Sequence, residues 1–329
     1  MRRALAWTSL LLLCAVLAAG AWFAYAVFLD RSRPSRTAQV IVPRGSTFHE
    51  IADQLASAGV IENAAAFRLY GKFRHADTDA HAGAFAFAPH QSAAEVLQQL
   101  QSGGAQIARW VSIPEGFTAR QIAQRLQETG LGSAQAYGDA FMRDSIVLFG
   151  TRTRGLEGYL FPSTYLIPTD AAPSTVEAIM TGEFRKHLPR DAARKARSLG
   201  LTVPQVVTLA SLVEREAKAD DERALMAGVY YNRLRIGMPL EVDASIEYAF
   251  PEHHSVITYA DLRTNSPYNT YLHQGLPPTP IANPGAPSLL AAFNPRPSNF
   301  LYYVYKGNGH HAFATTMAQQ EANIAKYLK

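Results

Sequence analysis

The sequence predicts an α+β protein carried behind a single N-terminal transmembrane helix. Three observations predict this class. Residues Ala4 to Leu29 form a run of 26 without a charged side chain. A strand–turn–helix pattern then occurs twice at a fixed offset of 71 residues. Beyond residue 150, an apolar helical stretch alternates with segments rich in proline and aromatic residues. The 329 residues suffice for two or three domains. Apolar residues make up 48% of the chain, which excludes a disordered or fibrous protein. The net charge of +4 comes with no dense Lys/Arg run, so a nucleic-acid partner is not expected. The single cysteine, Cys14, excludes an internal disulfide and any multi-cysteine metal site.

The first element is the apolar run. About 20 residues cross the hydrocarbon core as a helix, so Ala4–Leu29 is long enough with some tilt. Trp7, Trp22, Phe23 and Tyr25 sit near its ends, where aromatic belts lie. A cleaved signal peptide is the rival reading, because Ala24-Tyr25-Ala26 is a small-x-small site. The run continues past that site, however, through Val27-Phe28-Leu29. Arg2 and Arg3 before the helix are matched by Arg31, Arg33 and Arg36 after it, so charge gives a marginal vote for the N-terminus inside. The expected order is a cytoplasmic stub and transmembrane helix over 1–30, a polar linker over 31–38, a repeat-bearing module over 39–150, and a second domain over 151–329.

The repeat comes next. Val40-Ile41-Val42-Pro43-Arg44-Gly45-Ser46-Thr47 is echoed by Val111-Ser112-Ile113-Pro114-Glu115-Gly116-Phe117-Thr118. Each copy reads as a short strand, a Pro-x-Gly turn and a helix. Thr47 and Thr118 are placed to cap the helices. Ile51, Ala52 and Leu55 share one helical face, as do Ile122, Ala123 and Leu126. Gly59 and Gly130 fall where a helix end favours positive φ. Between the copies, Ala84–Phe87 reads as a strand and Ser92–Leu100 as a helix. This opening resembles LysM-like modules, which bind cell-wall glycan; a scaffold without ligand is the alternative.

The last part carries the candidate chemistry. Val203–Ile236 is the strongest helical region, capped by Thr202 with Pro204 in its first turn. Val206, Leu209, Ala210 and Val213 make an apolar stripe that Val207 and Leu212 widen, which predicts a buried helix. Glu214 and Glu216 are set into it, about 200° apart around the helix axis. They cannot face one cleft together. One is placed for catalysis and the other for an ion pair, with Arg223 or Arg233 as partner. A glutamic acid beside apolar walls has a raised pKa and can act as a general acid near neutral pH. Gly275–Gly285 holds four prolines among eleven residues and predicts a rigid extended loop. With Tyr268, Asn269 and Tyr271 it offers aromatic faces and amides suited to sugars, or simply a cover for the core. His253-His254 and His310-His311 are adjacent pairs that point in different directions, so no metal site is expected.

These residues resemble the endolytic murein transglycosylase family (MltG, YceG-like). The resemblance runs through Leu156-Glu157-Gly158-Tyr159-Leu160-Phe161-Pro162, Leu209–Glu216, Tyr231-Asn232-Arg233-Leu234, Gly237-Met238-Pro239-Leu240 and Asp243. It continues through Tyr268-Asn269-Thr270-Tyr271, Gly275–Gly285 and Gly309-His310-His311-Ala312-Phe313. Ser163, Ala244-Ser245 and Gln320 depart from the family pattern. The resemblance implies a single-pass inner-membrane enzyme facing the periplasm, without cofactor, that cuts the MurNAc–GlcNAc bond of nascent peptidoglycan to a 1,6-anhydro end. It implies Glu216 as the catalytic acid and base, with Glu214 as runner-up. It also implies Glu157, Glu214, Asp243, Tyr268, Asn269 and Asn283 as substrate-binding candidates, and peptidoglycan synthases as partners. The competing classes are a non-catalytic peptidoglycan-binding scaffold and a hydrolase that pairs Glu216 with Asp243 or Glu157.

Overall fold

Apolar patterning and capping fold as the sequence anticipates over most of the chain. The computed structural model describes residues 2–31, 36–76, 80–103, 106–250 and 257–328, with the side chains of 2–6 and 106 excepted. His253 and His254, and Ser32 to Ser35 of the expected linker, lie outside the described residues. Contacts divide the chain into two units, one of residues 1–111 with 165–170, the other of 112–164 with 171–329.

In the first unit, helix α1 (Arg2–Ala24) runs into a π-helical turn, Tyr25–Leu29. The stretch Trp7–Leu29 is long and apolar enough to cross a membrane. Strand β1 (Ala38–Val42), helices α2 (Phe48–Ser57) and α3 (Ala64–Phe73), strand β2 (Gly83–Phe87), helix α4 (Ala93–Ser102) and strand β3 (Gln106–Ser112) follow. The sheet order is β1, β2, β3 and then β6 (Thr164–Pro168), which returns from later in the chain. β1 and β2 are antiparallel, with Val40 opposite Phe85. Val40, Val42, Phe85 and Phe87 project into one core with Ile51, Leu55, Phe67, Val96 and Leu100. Gly71 of α3 lies so close to α2 that a Cβ there would stand 2.1 Å from the Phe48 ring.

The second copy of the repeat reproduces the first in local detail. Helix α5 (Ala119–Glu128) starts 71 residues after α2, and Thr118 caps it as Thr47 caps α2, each with a reciprocal bond from the third helical residue. Gly45, Gly116, Gly59 and Gly130 all have positive φ, as two turns and two helix ends require. The division between units falls at Val111/Ser112, inside the second copy of the repeat. The cause is that the second copy is shared. Its strand β3 bonds into the first unit's sheet, while α5 packs on α6 (Ala134–Arg143) and α6 on α7 (Pro173–His187).

The second unit continues with the short pair β4 (Val147–Leu148) and β5 (Thr151–Arg152). Helices α8 (Ala192–Ser198), α9 (Val203–Glu216), α10 (Asp220–Arg235), α11 (Asp243–Ala249) and α12 (Ala286–Phe293) come next. The antiparallel hairpin β7 (Tyr302–Gly307)–β8 (His310–Ala314) and α13 (Met317–Tyr327) close the chain. Helix α9 is the buried helix anticipated, its Val206, Leu209, Ala210 and Val213 packed with Met226, Tyr230, Leu289 and Phe293. The helical region from Val203 to Ile236 is built as two helices. Ala217 turns extended (φ −70°, ψ 122°), and a new helix begins with Asp220, Asp221 and Glu222 in its first turn, where the helix dipole favours acids.

Candidate active site

The break after α9 decides the site. It leaves Glu216 as the last helical residue, at the wall of a cleft of about 620 Å³ in the second unit. Asp243, Tyr271, Tyr303, His311 and Gln320 line the same cleft. The Tyr303 hydroxyl donates to Glu216 Oε2 at 3.2 Å, and Tyr230 Oη lies 2.9 Å from Tyr303 Oη. Burial and the neighbouring Asp243 charge push the Glu216 carboxyl up to about 7; the Tyr303 bond, Lys218 and Arg215 oppose this. A carboxyl poised there exists in both protonation states near neutral pH, as one that must give and then take a proton requires. Tyr303 and Tyr230 are pushed well above the ordinary tyrosine range, chiefly by burial, so both keep their protons as donors.

Asp243 is the first residue of α11 and accepts a 2.7 Å bond from the Tyr271 hydroxyl. Its position is set from Thr270, whose hydroxyl accepts from Val242 N at 2.9 Å and contacts Ser245 Oγ at 2.9 Å. Ser245, one of the departures from the family pattern, is fully buried in that contact. Glu241, just before, holds φ +53° in the left-handed region, and its side chain pairs with Arg233 at 2.8 Å. Arg233 also donates to the carbonyls of Leu301, Pro239 and Leu240, tying both lips of the cleft to α10. Asn232 does the same for Ser298 and Phe300. On the hairpin, His311 donates its backbone N–H to the Glu222 carboxylate and pairs with it through Nδ1 at 2.9 Å. His310 turns away, its Nδ1 to Asn308 O and its Nε2 toward Asp221. Gln320 Nε2 donates to the backbone oxygen of Tyr303.

The remaining sequence candidates lie elsewhere. Glu214 points to the opposite side of α9, where it accepts from Gly285 N at 3.0 Å, just before α12, and pairs with Arg223 at 3.6 Å. That is the divergence the 200° spacing requires. Glu157 is buried, accepting from Ala119 N, Asn283 Nδ2 and Tyr248 Oη. Burial pushes it up to about 7 against those donors. Asn283 is fully buried and spends its amide on Gly158 N, Leu160 N, Phe117 O and Glu157. Asn269 is likewise buried, bonded to Leu262 O, Thr264 O and Tyr271 N. Tyr268 meets Thr279 and lines a separate hollow with Glu157 and Tyr248. The structure therefore brings Asp243 to Glu216. Glu157, Asn269 and Asn283 instead form internal knots that shape the loops.

The Gly275–Pro280 part of the proline-rich loop lines another cleft, of about 520 Å³, with Arg152 and Arg154. Among the described residues no group of three or more His, Cys, Asp or Glu is arranged to share a metal ion. Sequence reasoning missed Tyr230 and Tyr303. Both lie in apolar, aromatic stretches where a tyrosine reads as core.

Comparison with known proteins gives the family. The YceG-like family model matches residues 40–326, and the chain belongs to that family. It is 31% identical to the endolytic murein transglycosylase of Streptococcus pneumoniae strain D39 over 97% of this chain. It spans 64% of that relative's length. It is also 31% identical to the Bacillus subtilis protein of that name, over 89% of this chain and 85% of the relative. The crystal structure of a yceG-like protein from Listeria monocytogenes superposes with a TM-score of 0.60 at 29% identity, covering 88% of this chain and 99% of the other.

Proposed function

We propose that the chain is a membrane-anchored endolytic lytic transglycosylase of peptidoglycan. Glu216 would be its single acid–base residue. The observation that carries this reading is Glu216 itself, a carboxyl raised to about 7 and held by Tyr303 in an open cleft, in a chain 31% identical to named endolytic murein transglycosylases. Protonated Glu216 gives its proton to the glycosidic oxygen between MurNAc and GlcNAc as that bond breaks. The resulting carboxylate then takes the proton of the muramic 6-hydroxyl, whose oxygen attacks the anomeric carbon and closes the 1,6-anhydro ring. No water is consumed, and Glu216 ends protonated as it began. Asp243, held by Tyr271, supplies negative charge beside the cationic anomeric centre. Glu214, Glu157, Asn269 and Asn283 act by fixing the loops, and Tyr268 by packing on Tyr248.

The apolar helix is read as a permanent anchor, not a cleaved leader. Ala26 and Val27, at and after the small-x-small site, are packed against Ala66 and Ala94, which supports that reading. The body then faces the periplasm from the inner membrane. The β1–α2–α3–β2 portion serves as a LysM-like glycan-binding module within 39–150, ahead of a catalytic domain from 151. Its substrate is nascent glycan strands, and its partners are the synthases that make them.

Mass spectrometry of products from uncrosslinked glycan strands, with wild type and Glu216→Gln, tests this. Ends lighter by one water than hydrolytic ends, absent in the variant, support it. Reducing ends would identify a hydrolase, which the placement of Asp243 in the same cleft as Glu216 keeps as the second reading. Binding without cleavage would identify a scaffold.

A further inference from the structure

The first unit carries an apolar surface continuous with the membrane-spanning helix. On α3, Leu69 (47% exposed) and Phe73 (69% exposed) lie one helical turn apart and face outward. Beside them the π-helical turn exposes Tyr25, Phe28 and Leu29. Rings from the two elements meet: Phe23 contacts Phe73 at 6.4 Å between centroids, and Phe28 contacts Tyr70 at 5.5 Å. Lys72 and Arg74, both exposed, flank Phe73. The exit from the helix is fastened to the same unit, because Arg31 donates to His90 O at 3.0 Å and pairs with Glu95 at 3.5 Å.

These contacts fix a depth. Phe23 lies six residues before Leu29, the end of the apolar run, which is roughly 7–9 Å along a helix. A side chain that touches Phe23 is therefore held at or below the level where the run leaves the hydrocarbon. A module fastened there must either leave Leu69 and Phe73 in water at the membrane face or sink them into it. Exposed aromatic and aliphatic groups flanked by cations have the composition of an interfacial membrane surface.

We propose that the Leu69/Phe73 face of α3, together with Tyr25 and Phe28, is embedded in the interfacial layer of the lipid bilayer, so that the first unit rests on the membrane as a rigid foot. Lys72 and Arg74 then meet lipid phosphates. This rests on the membrane-anchor reading above. It goes beyond it, because an anchor alone leaves the first unit free of the surface.

The test uses the full chain reconstituted in vesicles of phosphatidylethanolamine and phosphatidylglycerol. An environment-sensitive fluorophore is placed in turn on native Cys14, which lies within the apolar run and is the chain's one cysteine. It is then placed on Phe73→Cys, Leu69→Cys or Ser57→Cys in a Cys14→Ser background. Ser57 ends α2, whereas Phe48 at the start of α2 packs by Gly71 next to Phe73, so Ser57 is the control away from the patch. Residues 69, 73 and 57 are exposed, so the fold tolerates the label. The expected result is a blue shift and strong quenching by spin-labelled lipid at Cys14, 69 and 73, with neither at 57. Quenching at Cys14 but only control behaviour at 69 and 73 overturns the foot and leaves the anchor standing. Absence of quenching at Cys14 overturns the anchor, and the foot with it.

Discussion

The hydroxyl of Tyr303 donates a 3.2 Å hydrogen bond to Glu216 Oε2, joining a strand of the C-terminal hairpin to the last residue of a buried helix 87 positions earlier. Behind it stands Tyr230 at 2.9 Å. The acid is thus oriented by one phenol backed by a second, while burial, and after it the Asp243 charge, raises it. The predictions below follow from this arrangement and from the knots that support it.

Glu216→Gln should lower turnover by about 10²–10⁴-fold, the contribution of a positioned acid–base group. Glu214→Gln should leave turnover of the folded protein within a few-fold, because Glu214 faces Arg223 and Gly285. Its effect should appear as a lowered melting temperature. Steady-state rates and melting curves on both variants check this. Comparable losses of turnover would move the acid role.

The two neighbours of Glu216 should shift its titration in opposite directions. The acid form is needed first, so kcat/KM should fall as pH rises through about 7. Asp243→Asn removes a like charge and should move that limb to lower pH. Tyr303→Phe removes a bond that favours the carboxylate and should move it to higher pH. A pH–rate profile of each variant decides; a shared direction would refute the assignment.

Stability should fall as pH rises from about 4.5 to about 7. Glu157 is held up at about 7 by burial against an ordinary 4.5. In that window the unfolded chain has released its proton and the folded chain keeps it. The unfolded state binds fewer protons, and the slope of unfolding free energy with pH is negative. The contribution is fully present below 4.5 and lost above 7, amounting to on the order of 3 kcal/mol. Urea denaturation across this range should show a flatter profile for Glu157→Gln than for wild type.

Glu157→Ala should cost about 2–4 kcal/mol, since Ala119 N–H, the Asn283 amide and Tyr248 lose a buried acceptor. Denaturant midpoints measure it. A rate per folded molecule that stays near wild type would confine Glu157 to a structural role.

Gly158→Ala should destabilise by several kcal/mol. Its φ is +88°, and a Cβ would stand 2.4 Å from the Pro280 ring. Gly228→Ala should act through contact alone, with a Cβ 2.5 Å from the Arg296 backbone oxygen on a helix of ordinary φ. Melting temperatures of the two variants check this.

Local chemistry determined a good deal by itself. The uncharged run, the two capping threonines at one offset, the glycines with positive φ, the capped buried helix and the divergence of Glu214 from Glu216 all rest on neighbours within a few residues. Such neighbours leave periodic or positional traces in a sequence. The tertiary structure decided what those traces do not carry. Ala217, Lys218 and Ala219 contain no helix breaker, so the end of α9, and with it the place of Glu216 at the cleft wall, is set by packing. Tyr303 reaches Glu216 from 87 residues away and Asn283 reaches Glu157 from 126, as partners in hydrogen bonds with no periodicity. The Asn283 amide bonds Gly158 N, Leu160 N, Phe117 O and Glu157, four groups that no local pattern points to. Its destination depends on which backbone groups the fold leaves unpaired, and that is known only once distant segments meet.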